Sequence, residues 1–122
     1  MNTREIHEFA RRWYDLFADE SATGYQLCND TTFADACFSF GFEMDCGNAF
    51  VEAFPGKNVL NDKNELAAII DSVTNVALLG SAVFSQWRYY NHWSYSTEDI
   101  TNKDVREWFM TALNRLQILT DE

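Results

Sequence analysis

Basic residues are scarce in this chain, and their scarcity is uneven. Nine Lys and Arg face nineteen Asp and Glu, giving a net charge of −10, and no Lys or Arg stands between Arg12 and Lys57. Duplex nucleic acid and anionic membranes recruit proteins through cations, so neither direct nucleic-acid binding nor a membrane is expected. Proline is limited to one residue and glycine to five, too few for a linker between domains. A length of 122 residues fits one domain, 1–122. Cysteine is sparse and odd in number: Cys28, Cys37 and Cys46, spaced nine residues apart. That set gives no disulfide framework and no zinc-ligand spacing, so no metal is expected. Phosphate-cradling glycine loops and the G-x-S-x-G nucleophile turn are missing too, and no cofactor is expected.

Long hydrophobic runs are also lacking. The nearest is 66–84, LAAIIDSVTNVALLGSAVF, with Asp71, Ser72, Thr74 and Asn75 near its middle. A central Asp costs about 2.5–3.5 kcal/mol on insertion scales, while each apolar neighbour returns tenths. Two helices broken near Thr74 are expected instead of a span. The first residues, MNTREIHEF, are charged where a secretory leader would be apolar, so a cytoplasmic location is expected.

What the chain does hold is aromatic residues: ten Phe, five Tyr and four Trp, in a composition 47% hydrophobic. Their spacing is mostly helical. Asn2, three before Glu5, caps a helix carrying Ile6, Phe9, Ala10, Trp13 and Phe17, which ends in the polar run 19–24 with Gly24 at positive φ. Asp30 or Thr31 opens a second helix through Phe33, Cys37, Phe40 and Met44, then Phe50, Val51 and Phe54, closed by Pro55-Gly56. Gly41 and Gly47 each cost about 1 kcal/mol inside it, so it can bend or break there. FSFGFEMD also alternates like a strand, but no other alternating run offers it a partner, and helix is preferred.

A short helix follows from Asn61 or Asp62, with Leu66, Ile69, Ile70 and Val73 on one side. Asn75 then caps a helix to about Trp93, apolar on nearly every face, with a small-residue patch at Gly80, Ser81 and Ala82 where a neighbouring helix is expected to approach closely. The last helix starts near Thr101 or Asn102 and carries Val105, Trp108, Phe109, Ala112, Leu116 and Leu119. The expected fold is all-α: a single bundle of four or five helices around the central helix 75–93.

Three constellations bear on function. In SQWRYYNHW, residues 85–93, Arg88 and His92 share one helical face among Trp87, Tyr89, Tyr90 and Trp93. Such a group can grip an anionic or aromatic ligand, and Glu43, Asp45 or Cys46 can approach it from the second helix. A purely structural role outranks this, with Arg88 at least half buried and bonded to a carboxylate of the segment 30–54, Glu43 or Asp45 first among them. Arg88→Ala would then strand an acid and cost about 3–5 kcal/mol. The second constellation is the base-free stretch 13–56, with Asp15, Asp19, Glu20, Asp30, Asp35, Glu43, Asp45 and Glu52. It favours a basic protein partner; as a mimic of a phosphate backbone it is sparse. The third is Cys46 as a nucleophile with His7 or His92, against the commoner fate of Cys as a small buried hydrophobe.

The runs LLGSAVFSQWRYYNHW (78–93), MDCG (44–47) and REWFMTALNRL (106–116) resemble small bacterial proteins grouped as a domain of unknown function. That resemblance covers about a third of the chain and implies a bacterial, cytoplasmic origin but no activity, cofactor or site. The expectation is a non-enzymatic helical module that binds a basic protein partner or itself. The rival is an enzyme or anionic-ligand binder using Arg88 and His92. An acidic mimic of nucleic acid comes third.

Overall fold

The computed structural model describes residues 2–44, 63–93 and 96–121. Among them the fold is all-α, a helical bundle without strands. Helix α1, Thr3–Ala18, starts as expected at Asn2, whose side chain accepts from the Glu5 amide. It buries Ile6, Phe9, Ala10, Trp13 and Phe17.

Gly24 departs from expectation. It opens a short helix, α2 (Gly24–Cys28), with Thr23 as N-cap. Thr23 Oγ1 accepts from the Gln26 amide, while Gln26 Oε1 accepts from the Thr23 amide. This reciprocal pair satisfies two amides that a helix start would otherwise leave unpaired.

Helix α3, Thr31–Phe40, is capped by Asp30, which accepts from the Thr32 amide. It does not run on to Met44. Gly41 takes φ +80°, and the Phe42 amide reaches back to Cys37 O while the Gly41 amide reaches Phe38 O. This is a Schellman closure, which needs a left-handed residue that Gly supplies without steric cost. Phe38, Phe40 and Phe42 consequently do not line one strand face: Phe38 is exposed, while the rings of half-buried Phe40 and buried Phe42 meet at 5.4 Å. The expected continuation through Asp45, Cys46, Gly47, Phe50, Val51, Phe54 and Pro55-Gly56, and a start at Asn61 or Asp62, lie outside the described residues.

Helices α4 (Lys63–Ser72) and α5 (Val76–Arg88) are the two halves expected from the run 66–84, with Asn75 capping α5 through the Leu78 amide. Among the described residues no helix is long and apolar enough to cross a membrane. Helix α5 buries Leu79 through Ser85 and Trp87. It then widens into a π-helix, Tyr89–Trp93. A 3₁₀ turn, Thr97–Thr101, precedes α6, Lys103–Thr120, capped by Asn102.

The small-residue patch on α5 receives a loop, not a helix. The ring of Phe42 lies directly over Gly80, where a Cβ would collide with it. The Glu43 amide donates to Ser81 Oγ at 2.8 Å, and Ser85 Oγ donates to Glu43 O at 3.5 Å. The chain leaving α3 is thereby fastened along α5. The core beneath is a chain of rings: Trp13 meets Phe33 at 4.8 Å, and Phe33 stacks on Trp87 at 4.9 Å.

Candidate functional site

Arg88 ends α5 half-buried, and its Nη1 donates to Asn91 Oδ1 at 2.9 Å. The expected bond to Glu43 is not made. The Glu43 side chain is exposed, its main chain is what binds α5, and no ion pair joins it to Arg88 among the described residues. Because α3 stops at Phe40, the acid arrives on a loop facing outward, whereas a helix continued to Met44 would have carried it inward. Asp45 and Cys46 lie outside the described residues.

Asn91 in turn donates through Nδ2 to Cys28 O at 2.7 Å, and Trp87 Nε1 donates to Leu27 O at 2.8 Å. The carbonyls at the end of α2 are therefore held by side chains from α5 and its π extension. Trp87 is a structural clamp, buried and stacked, not a ligand wall. His92 is exposed at the end of this extension. The structure thus brings Arg88, Asn91 and Trp87 together against α2, with Glu43 fastened one to two turns back along α5.

The described thiols are poor nucleophiles. Burial, then the charges of Glu98 and Asp99, push Cys28 up to about 11 from its ordinary 9. Burial drives Cys37 higher still. A buried, protonated thiol is a weak nucleophile. His7 is occupied elsewhere. Its Nδ1 lies 3.1 Å from Gln117 O and 3.2 Å from Thr120 Oγ1, and a carbonyl only accepts, so Nδ1 carries the proton.

Sequence reasoning missed Arg106. Its Nη1 donates to Phe17 O at 2.8 Å and Asp19 O at 2.9 Å, Nη2 to Ala22 O at 2.8 Å, and Nε to Thr101 O at 3.1 Å. It closes one wall of an open groove of about 710 Å³ floored by Phe17, Ala22 and Met110. With four main-chain acceptors engaged, this guanidinium serves the fold and not a ligand. The hint was a basic residue set between the core positions Val105 and Phe109.

The acidic stretch is partly consumed by local work. Asp19 accepts from the amide and hydroxyl of Ser21, bonds that hold its carboxyl below its ordinary value. Asp30, likewise lowered by its Thr32 bonds, caps α3 and pairs with Arg12 at 3.6 Å. Asp35 and Glu43 are different. Both are exposed, and no ion pair reaches either among the described residues.

Those two acids flank the seam between α3 and α5, where large apolar side chains face solvent. Phe38 is 60% exposed, its ring edge-on to buried Phe84 at 5.1 Å. Met44 is 40% exposed and follows the fastened Glu43. Tyr89, 50% exposed, lies one turn beyond Ser85, the residue that holds Glu43 O.

No family model, curated protein or solved structure matches this chain.

Proposed function

We propose that this protein is a small acidic, cytoplasmic protein-interaction module without catalytic activity, docking another protein on the α3–α5 seam. The observation that supports this is the joint exposure of Phe38, Met44 and Tyr89 along one fastened edge of the bundle. Aromatic and Met side chains are enriched at protein interfaces, and a row of them kept in water costs hydration that a partner would relieve. A regulatory role suits a domain whose described thiols are buried and neutral and whose interior polar side chains bind main-chain carbonyls.

The test is photo-crosslinking in the source cell, with a photoreactive amino acid in place of Phe38 or Tyr89 and, as control, in place of Arg4, whose side chain is 86% exposed on α1. One specific protein adduct is expected from the two seam positions and not from the control. Equal labelling at all three positions, or none at the seam, overturns the reading.

A further inference from the structure

Resting on that reading of the seam, we propose that its occupant is a basic amphipathic helix of a different protein. Its apolar stripe would cover Phe38, Met44 and Tyr89, and its Lys or Arg residues would meet Asp35 and Glu43. On α3, Asp35 precedes Phe38 by three residues, so carboxylate and ring are neighbours on one face. Glu43 directly precedes Met44, and its main chain is held by Ser81 and Ser85, so its exposed carboxylate projects at the same edge. An exposed acid therefore neighbours an exposed apolar side chain at both Phe38 and Met44.

Among the described residues no cation is ion-paired with either acid. The sequence has no Lys or Arg from 13 to 56. Arg88, the basic residue at the end of α5, hydrogen-bonds the neutral Asn91 and forms no ion pair with either acid among the described residues. Arg12 is paired with Asp30.

Charge also decides between kinds of occupant. A second copy of this chain would bring −10 against −10, and like charges brought together oppose docking. An acidic partner meets the same repulsion. A basic one is steered in and then anchored by the rings. The seam runs between a helix and a strapped loop on another helix, with no sheet edge among the described residues, so a helix laid into it is the fitting geometry.

The experiment measures binding of two synthetic amphipathic helical peptides by fluorescence anisotropy. Both carry the same Leu stripe, one flanked by Lys and the other by Glu. The proteins are the full chain, Phe38→Ser, the double variant Asp35→Lys/Glu43→Lys, and the control Asp15→Lys/Glu20→Lys. The two double variants have equal net charge, and all five positions are exposed. The Lys peptide is expected to bind the unaltered chain. Phe38→Ser and the seam double variant should each weaken it about tenfold or more, and the control double variant about threefold or less. The Glu peptide should not bind.

Equal weakening by the two double variants would mean diffuse attraction to an acidic protein and would overturn the proposal. So would binding of the Glu peptide, or no binding of the Lys peptide. If adducts form at Phe38 and Tyr89 in cells but the captured partner is acidic, or is this chain itself, the docking seam stands and the basic occupant falls. If Phe38→Ser leaves the Lys peptide unaffected, the seam falls as well.

Discussion

At the scale of single residues, two tryptophans form a matched pair for testing what a buried hydrogen bond contributes. Trp87 and Trp108 are both nearly inaccessible. Trp87 Nε1 donates to Leu27 O, whereas Trp108 Nε1 is buried with no partner among the described residues. Replacing either by Phe removes similar volume, but only one replacement strands a carbonyl. Trp87→Phe should be the more destabilising by about 1 kcal/mol, read from urea midpoints at constant slope. Equal costs would show that Trp108 also satisfies its indole N–H. Gly80 offers a second test. The ring of Phe42 occupies the place of its missing Cβ and is pinned by the Schellman closure and by the Glu43–Ser81 bond. Gly80→Ala must displace that ring and should cost about 1–3 kcal/mol, although Ala is the better helix former. A stabilised Gly80→Ala variant would mean that the ring can move aside freely. The Gly80–Ala82 patch was legible in the sequence as a place of close approach; that a loop phenylalanine fills it was not, because nothing local in residues 40–44 names a distant helix as its target.

At the scale of elements, the caps were the readable part. Asn2, Asp30, Asn75 and Asn102 each accept the amide bonds that the sequence suggested. Helix α2 was readable and missed: Thr23-Gly24-Tyr25-Gln26 is a capping-box pattern, overlooked because Gly24 also suits a helix end. The end of α3 turned on one backbone angle. Gly41 marks a possible break in the sequence, but hydrophobic spacing continues across it to Met44, and a helix continued that far would turn Glu43 toward Arg88, a pairing the structure does not make. Arg106 marks what element-level reading cannot give, since three of its acceptors are carbonyls of the distant stretch 17–22, whose nearness exists only after folding. Arg106→Ala should destabilise by about 2–4 kcal/mol by leaving the partly buried carbonyls of Phe17, Ala22 and Thr101, and the exposed one of Asp19, without this donor. Arg106→Lys should recover less than half of this, because one ammonium cannot fork to four acceptors. Full rescue by Lys in thermal melts would show that the positive charge near Asp19 matters and the fork does not.

At the scale of the whole molecule, the two ends of the chain are zipped together. Helices α1 and α6 share the most extensive interface among the described elements. Their contacts run in opposite directions along the two helices. His7, near the start of α1, meets Gln117 and Thr120 near the end of α6. Phe17, near the end of α1, stacks on Phe109 at 4.4 Å, and Arg106 reaches the Phe17 carbonyl. His7 and Gln117 are 110 residues apart in sequence, so this antiparallel pair closes the chain into one loop. Closing it carries an entropic cost that grows slowly with length and must be offset by contacts along the whole pair. Opening one end should therefore loosen both helices. Removing residues 117–122 deletes the oxygens that His7 binds, together with half-buried Leu119. A loss of about 2–3 kcal/mol is expected, lowering Tm by about 5–12 °C at this chain length. Amide hydrogen exchange distinguishes coupled from local loss. If the pair is one cooperative unit, exchange in the first turns of α1 should speed up by the same factor as in α6, within a single unfolding transition. Faster exchange confined to the shortened α6, with α1 protection unchanged, would mean that α1 is held by α3 and the aromatic core alone.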